Sequence, residues 1–378
     1  MLKGTGRDRV RSLLIHRIGS LGDTLVALPA LWAVRDHFPN HHVTLLSEKR
    51  PGRTLVAPRD ILSGSDVCDE FLEYPADGSL SGRVARPWRM AVLLATLRSR
   101  RFESLIYLAP SRRSRRQIWR DQFFFRAARI RCLLGVDGFQ STPDKRSHWT
   151  PDRPTREADF LLRRLAASGV PVPPPGQGCM ELGLGAKEEK QVELWLSGLP
   201  NDGGRRWISV GPGARKPVSR WPIERYRAVV DTLVKKFDVW PAVFGGPEDA
   251  HTAEILIRAW GRGYSAAGSL DVRSTMAAMK RCQMHLGNDT GTMHMAAAVS
   301  VPCVGVFASH NAPGVWYPYG EGHHVIRTDV DCAGCQLREC FKEAHRCLLS
   351  ITVEQVTQAC VDMLIQPTVN HSARYSVE

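Results

Sequence analysis

Short apolar runs alternate with amphipathic segments along the chain, and this pattern predicts strands that alternate with helices. In the first half, the predicted elements are strands at Ser12–Ile18, Val43–Ser47 and Ser104–Leu108 and a helix at Asp23–His37. The pattern resumes with a helix at Lys187–Ser197 and strands at Trp207–Val210 and Val239–Phe244. Between the two sets lies Gly169–Gly178, whose four prolines and three glycines are typical of a stiff, extended linker. Strands that alternate with helices favour parallel sheets, so we expect two α/β domains.

Length and composition agree with two folded domains. The chain has 378 residues, of which 43% are hydrophobic, enough for two separate cores. No apolar run approaches the ~18 residues that a membrane-spanning helix needs. The first ten residues are polar and basic, without the apolar stretch of a signal peptide. We therefore expect a cytoplasmic protein.

The positive charge is concentrated in one stretch. Between Arg83 and Arg131 there are fourteen arginines and two acids, which gives +12 of the chain's net charge of +13. Arginine is suited to bidentate contact with phosphate or carboxylate groups. Three interpretations stay open: a solvated helix face, a patch for an anionic membrane surface or anionic acceptor, and a nucleic-acid site. No nucleic-acid-binding motif accompanies the charge, so we expect no nucleic-acid partner.

Two glycine-containing loops carry candidate chemistry. The segment Gly287–His294 combines an acid, hydroxyls, two glycines and an imidazole between a predicted strand and a small-residue helix. The unpaired N–H groups at a helix start favour an anion such as phosphate. A similar loop, from Gly19 to Asp23, follows the first strand. Two such loops indicate two Rossmann-like halves that face each other across a cleft.

These motifs, in this order, resemble glycosyltransferase family 9, the group that includes the lipopolysaccharide heptosyltransferases. The matching segments are His16–Ala30, Gly211–Ala214, Arg220–Pro222, Gly245–Glu248 and Gly287–His294. The resemblance implies the GT-B fold, with two doubly wound Rossmann-like domains. It implies an acceptor-binding domain at 1–178, a nucleotide-sugar-binding domain at 179–350, and a C-terminal helix at about 351–366 that crosses back to the first domain.

The resemblance assigns Asp23 as the catalytic base that takes the proton of the acceptor hydroxyl. An aspartate in the first turn of a helix can also serve only as a cap or dipole partner, and the sequence leaves both roles open. Acceptor-binding candidates come from the first loop and the arginine-rich stretch; they are Gly19, Ser20, Gly22, Arg112, Arg113, Arg116 and Arg120.

The donor-binding candidates come from the second half of the chain. They are Lys216, Ser219, Arg220, Glu248, Asp289, Thr290, Gly291 and His294. Many relatives have a lysine two residues before the Trp-Pro pair, where this chain has Ser219; Lys216 or Arg220 is expected to supply the charge, unless both are ordinary surface cations. Glu248 is expected to bind a ribose hydroxyl, or to be an N-terminal helix acid.

No metal or cofactor is expected at the reaction centre. The sequence has no Asp-x-Asp placed as in metal-dependent transferases, and helix dipoles with basic side chains can stabilise a departing diphosphate. Cys332, Cys335, Cys340 and Cys347 form a cluster that could hold zinc, although reduced thiols or an incidental disulfide fit as well.

The sequence thus predicts an inverting, metal-independent glycosyltransferase. ADP-heptose is the donor that the resemblance implies, and an anionic lipid-linked saccharide of a lipopolysaccharide core or related surface glycan is the acceptor. The protein would act in the cytoplasm, in contact with the inner face of the cytoplasmic membrane. Two alternatives remain: a nucleotide-sugar epimerase of the same fold, and a non-catalytic polyanion-binding protein.

Overall fold

The computed structural model describes residues 11–49, 56–75, 80–111, 113–137, 156–341 and 345–365, and divides them into two compact units. The first unit takes the described residues up to 137 together with 157–183. Its sheet has five parallel strands in the order β3-β2-β1-β4-β5. The strands are β1 (Ser12–His16), β2 (His42–Lys49), β3 (Glu70–Pro75), β4 (Ser104–Tyr107) and β5 (Cys132–Leu134).

Six helices in the described part of this unit accompany the sheet. They are α1 (Leu21–Leu25), α2 (Leu28–His37), α3 (Pro58–Leu62), α4 (Leu80–Arg100), α5 (Arg115–Ala127) and α6 (Glu157–Ala167). Leu93 and Leu97 of α4 are buried in one cluster with Ile118 and Phe125 of α5. These two helices therefore cover the same face of the sheet.

The second unit takes Arg156 and residues 184–365 of the described chain. Its six parallel strands follow the order β11-β10-β9-β6-β7-β8. They are β6 (Trp207–Gly211), β7 (Trp240–Val243), β8 (Tyr264–Ser265), β9 (Cys282–Asn288), β10 (Cys303–Phe307) and β11 (His324–Arg327). The helices are α7 (Ala186–Leu196), α8 (Ile223–Phe237), α9 (Ala250–Trp260), α10 (Val272–Met279), α11 (Gly291–Ala298), α12 (Arg346–Leu349) and α13 (Val353–Ile365). The prediction of two parallel-sheet α/β domains is confirmed.

The helix predicted at Asp23–His37 is divided in two, because α1 ends at Leu25 and α2 begins at Leu28. Pro29 lies at the second position of α2 and has no N–H to donate to an earlier carbonyl. An uninterrupted helix would lose that hydrogen bond and crowd the proline ring against the preceding turn. The break therefore leaves α1 as a short element that belongs to the loop after β1.

The last helix of the described residues, α13, lies where the resemblance implied a C-terminal helix. Helix α13 belongs to the second unit and packs against α8, β9 and β10. Val356, Cys360 and Leu364 of α13 are buried in the core of that unit. These three side chains form an apolar stripe along the helix, and the second unit covers that stripe. The first of the two compact units extends to Gly183.

None of the helices in the described ranges is long and apolar enough to cross a membrane.

Candidate active site

Both glycine-containing loops leave their sheets where the strand order reverses. In the first sheet β1 lies between β2 and β4, and in the second β6 lies between β7 and β9. Open parallel sheets bind ligands at the carboxyl ends of the strands at this switch point. The loop with Asp23 follows β1, and the loop with Asp289 follows β9. Each domain thus has one predicted loop at the position where its fold favours a ligand.

In the second domain, the predicted helix start is the first turn of α11. Gly291 begins the helix, and Thr290 precedes it with an extended backbone. The Thr290 hydroxyl lies 2.9 Å from the Thr292 hydroxyl, and the Thr290 side chain makes no capping bond to the helix. The Asp289 carboxylate accepts a hydrogen bond of 3.2 Å from Asn311. Thus two hydroxyls and the unpaired N–H groups of an eight-residue helix lie together.

His294 lies one turn into α11 and is buried. Its ring makes an edge contact with Trp316, with 6.3 Å between the centroids. The structure therefore holds this imidazole within the packed part of the helix.

Asn288 joins the separate loops of this site. Its side-chain oxygen accepts from the Trp221 backbone N–H at 3.1 Å. Its side-chain nitrogen donates to the Pro212 carbonyl at 2.8 Å. The residue is fully buried at the end of β9, so it fixes the Gly211–Ala214 and Arg220–Pro222 segments against the start of α11. Asn288 lies inside the quoted motif, but no sequence pattern singled it out from its neighbours.

The three candidates for the diphosphate-neutralising position differ in their surroundings. Ser219 is buried, and its backbone N–H donates to the Lys216 carbonyl at 2.9 Å. Lys216 is partly exposed. Arg220 is exposed, and its Nε donates to the Ala214 carbonyl at 2.7 Å. This bond holds the Arg220 guanidinium against the Gly211–Ala214 loop.

Asp249, the residue after the predicted Glu248, also lies against the glycine loops. Glu248 is exposed on the short 3-10 turn Pro247–Asp249. The Asp249 carboxylate accepts from the Gly246 N–H at 3.1 Å. A β-carbon added at Gly213 or Gly245 would lie within 2.5 Å of its oxygens, so it fills the space between both loops. Burial raises the pKa of Asp249, so this carboxyl is protonated more readily than that of an exposed aspartate.

The buried His285 packs against glycines of the same loops. The Nδ1 atom of His285 lies 2.8 Å from the Ser209 hydroxyl, and its Nε2 atom has no hydrogen-bond partner among the described residues. A β-carbon at Gly287 would lie 2.4 Å from Nε2, and one at Gly211 would lie 2.9 Å from the ring carbon Cε1. Burial lowers the pKa of His285 to about 3, so the ring is neutral at physiological pH. The sequence analysis missed this residue because it looks like an ordinary strand position.

In the first domain, Asp23 belongs to a capping box of α1. Its Oδ2 accepts from the Ser20 backbone N–H at 2.8 Å and from the Ser20 hydroxyl at 3.0 Å. Among the described residues, none donates to Oδ1. Asp23 therefore caps α1 through Oδ2, which is one of the two roles that the sequence left open. Its Oδ1 remains available to accept a proton, as a catalytic base would.

Gly19 and Gly22 give this loop its shape. Gly19 has a φ of +136°, and a β-carbon there would lie 2.3 Å from the Asp23 β-carbon, so the close turn requires glycine. Gly22 lies in α1, where its carbonyl accepts from the Val26 N–H at 3.0 Å.

Arg17, which the sequence analysis also missed, holds the backbone of this loop. It is buried, and its guanidinium donates to the Asp23 carbonyl at 3.0 Å and to the Leu108 carbonyl at 2.8 Å. Burial lowers the pKa of Arg17, whereas the nearby Asp23 carboxylate acts to raise it. The loop after β1 is thus fixed to the end of β4.

The predicted acceptor arginines have different roles in the structure. Arg113 and Arg120 both pair with Asp121, and Arg120 does so at 2.7 Å. Burial acts to raise the pKa of Asp121, but hydrogen bonds from Tyr107 and Arg120 hold it below its usual value. Among the described residues, no hydrogen bond or ion pair joins Arg113 or Arg120 to Asp23. Arg116 is exposed on α5, and Arg112 lies outside the described residues.

The cysteine cluster lies near the C-terminal end of the second domain. None of the ten cysteines, all within the described ranges, forms a disulfide. Burial raises the pKa of Cys347, and the nearby Cys332, Cys340 and Cys335 raise it further. In the part of the chain that the structure describes, no three His, Cys, Asp or Glu side chains are arranged to hold a metal ion.

Comparison with known proteins identifies relatives by sequence and by structure. Residues 169–345 match the model of glycosyltransferase family 9 (heptosyltransferase). The lipopolysaccharide heptosyltransferase 2 of Escherichia coli (strain K12) is 27% identical over 171 residues, which are 43% of this chain and 48% of that protein. The chain therefore matches about half the length of this curated relative.

Solved structures resemble the chain over nearly its whole length. A family 9 glycosyl transferase from Veillonella parvula DSM 2008 gives a TM-score of 0.72 at 19% identity, over 94% of this chain and 97% of that one. The ADP-heptose lps heptosyltransferase II of E. coli gives 0.67 at 18% identity, over 94% and 99%. At these identities the likeness concerns the fold, which is that of the GT-B heptosyltransferases. The resemblance to glycosyltransferase family 9 that the motifs indicated is confirmed by the family match at residues 169–345.

Proposed function

We propose that the protein is an inverting glycosyltransferase that moves a sugar from a nucleotide donor to a surface-glycan acceptor. The observation that carries the proposal is the start of α11, where Asp289, Thr290 and Gly291 follow a strand end at the switch point of the second sheet. Unpaired helix N–H groups and hydroxyls suit the phosphates of a nucleotide sugar. The match of residues 169–345 to the family model supports this role for the second domain.

In this proposal the leaving diphosphate is stabilised without a metal. The N-terminus of α11 faces it with the positive end of the helix dipole, and a basic side chain adds charge. Arg220 suits this task better than Ser219, because Ser219 is buried and carries no charge. Asp289 and the exposed Glu248 bind sugar or ribose hydroxyls, and Lys216 and His294 add polar contacts.

Asp23 accepts the proton of the acceptor hydroxyl as that oxygen attacks the anomeric carbon from the face opposite the diphosphate. The new glycosidic bond forms as the bond to the diphosphate breaks, which inverts the configuration. Support comes from the loop geometry: Ser20 and Arg17 fix Asp23 on both its carboxylate and its backbone. Gly19, Ser20 and Gly22 line the acceptor side, together with Arg113, Arg116 and Arg120.

By analogy with its relatives, we propose heptose from ADP-heptose as the transferred sugar. The acceptor would be an anionic lipid-linked saccharide of a lipopolysaccharide core, met at the inner face of the cytoplasmic membrane. The stretch from Arg83 to Arg131 supports an anionic acceptor by its charge of +12.

Calorimetric titration with ADP, UDP, GDP and CMP, followed by their sugar derivatives, tests the donor. Selective binding of ADP and ADP-heptose is expected. Selectivity for UDP or GDP would keep the reaction type and change the sugar. Absence of binding to every nucleotide, with or without acceptor, would contradict the proposal. Conversion of the sugar nucleotide without acceptor would identify an epimerase instead.

A further inference from the structure

The outer face of α5 carries two exposed aromatic side chains. Trp119 is 69% exposed and Phe123 is 64% exposed, one helical turn apart. Their rings stack, with centroids 5.9 Å apart and planes inclined by 17°. The opposite face of α5 is the one that packs on the sheet, through Ile118 and Phe125. The aromatic pair is therefore directed away from the domain's own core.

The neighbouring helix α4 repeats the arrangement. Trp88 is 74% exposed, and Val92 one turn later is also exposed, whereas Leu93 and Leu97 are buried. Helices α4 and α5 cover the same face of the sheet, and Arg98 of α4 donates to the Ala127 carbonyl at the end of α5 at 2.9 Å. Scattered exposed apolar residues are ordinary, but three exposed large aromatics on two adjacent outer faces need an explanation.

Arginines flank these aromatics. Arg115, Arg116 and Arg126 are exposed on α5. The acid on this helix, Asp121, is buried and paired with Arg113 and Arg120, so it does not offset the outer charge. We call the exposed side chains of Trp88, Val92, Trp119, Phe123 and these three arginines the α4–α5 face.

We propose that the α4–α5 face docks on an anionic phospholipid bilayer. Trp and Phe enter the interfacial layer, where aromatic rings are favoured, while the arginines contact headgroup phosphates. Charge complementarity favours an anionic bilayer over a second copy of this chain as the partner, because a second copy would bring like charges together. A single-stranded nucleic acid would use the rings and the arginines but would gain little from Val92. The proposed function supplies the biological reason for docking, because an enzyme must meet a lipid-linked acceptor at a bilayer. The docking surface itself is inferred from the exposed side chains alone.

Co-sedimentation with vesicles tests the docking. Wild-type protein is expected to bind vesicles of phosphatidylcholine with phosphatidylglycerol much more tightly than phosphatidylcholine alone, and salt should weaken this binding. Trp119→Ala with Phe123→Ala should reduce the affinity about tenfold or more. Arg115→Gln with Arg126→Gln should reduce the affinity and its dependence on salt. The matched control, Leu194→Ala with Ile255→Ala, removes exposed apolar side chains of the second unit and should bind like wild type.

Unchanged vesicle binding by the aromatic variant, or absence of binding by wild type, would overturn the docking proposal. So would an aromatic variant that loses only RNA affinity or only self-association. Two further assays separate the docking proposal from the proposed function: nucleotide titration, and sugar transfer to a delipidated acceptor. The aromatic variant should bind nucleotide and transfer sugar to that acceptor as wild type does. If wild type binds vesicles but no nucleotide sugar, the proposed function alone is refuted.

Discussion

Two aspartates of the first domain occupy the same position in a capping box. Asp23 of α1 accepts from the Ser20 N–H at 2.8 Å, and Asp60 of α3 accepts from the Ala57 N–H at 3.0 Å. Both helices have five residues. Asp60 is therefore an internal control for the capping contribution of Asp23, because it shares the local structure without the proposed reaction.

We expect Asp23→Asn to lower turnover by about 10²–10⁴-fold, because the amide cannot accept the acceptor proton. Nucleotide affinity should stay the same, since Asp23 lies in the first domain. Asp60→Asn keeps an oxygen that can accept the cap hydrogen bond, so it should change stability by as little as Asp23→Asn does, by less than about 1 kcal/mol, and leave turnover intact. Turnover and urea unfolding of both variants check this; equal loss of turnover would reduce Asp23 to a cap.

The second residue-scale prediction concerns Arg220. Arg220→Met removes the charge while keeping much of the side-chain length, and we expect kcat to fall about tenfold or more because the departing diphosphate loses a partner. Lys216→Met should have the smaller effect. Steady-state kinetics with both variants decide the assignment, and the reverse order of effects would transfer the role to Lys216.

Acid sensitivity follows from His285. Its pKa is about 3 in the folded protein, against 6.5 as the ordinary value, so the unfolded chain binds the proton more readily. The folded state is therefore favoured fully above pH 6.5 and loses stability as the pH falls towards 3. At pH 5 this one group should lower the free energy of unfolding by about 2 kcal/mol. Urea midpoints at pH 7.5 and pH 5 for wild type and His285→Gln measure it; an equal pH dependence in both would disprove this origin.

At this scale the sequence located the loops but not all of the residues that organise them. Asp23, Asp289 and Thr290 could be singled out because their residue types stand in glycine-rich strand ends. Asn288, Asp249 and His285 could not, because their contacts join segments far apart in the chain. Asn288, for example, bonds to residues 67 and 76 positions away.

At the scale of elements, the strands were predicted better than the helix ends and helix partners. The apolar runs located β1, β2, β4, β6 and β7 to within a few residues. The amphipathic pattern of α13 revealed one apolar face but not which domain would cover it. Only the contacts with α8, β9 and β10 decide that question.

The packing of α13 predicts a contrast between neighbouring residues. Leu364 is 8% exposed in the core of the second unit, whereas Ile365 is 66% exposed. Leu364→Ala should lower the free energy of unfolding by about 2–5 kcal/mol, because it removes buried contacts and leaves a cavity. Ile365→Ala should change it by less than about 0.5 kcal/mol. Chemical unfolding measures both, and similar small losses would mean that this helix is not packed on the second domain in solution.

At the scale of the whole molecule, each domain has its own sheet and its own core. The proposed nucleotide contacts all lie in the second domain. Nucleotide binding should therefore slow amide exchange chiefly in 207–221, 245–249 and 282–298, and leave 12–25 little changed. At one hundred times Kd, the second domain should gain about 2.7 kcal/mol. Hydrogen-exchange mass spectrometry with ADP measures this, and equal protection in both domains would contradict a donor site confined to the second.

The net positive charge of the molecule lies almost entirely in one segment of the first domain. Outside residues 83–131 the chain is nearly neutral, with a net charge of +1. A sequence pI of about 9.5 therefore describes one segment rather than the protein. The sequence revealed this segment, but only the fold shows that exposed aromatic rings lie among its arginines.

Docking through the α4–α5 face would change how the enzyme finds its acceptor. A protein held at the bilayer searches a plane rather than a volume, and each encounter with a lipid-linked saccharide becomes a lateral one. The effective concentration of acceptor is then set by its surface density in the membrane. Apparent KM for the acceptor should accordingly depend on moles of acceptor per mole of lipid, and dilution of the vesicles at fixed composition should leave it almost unchanged.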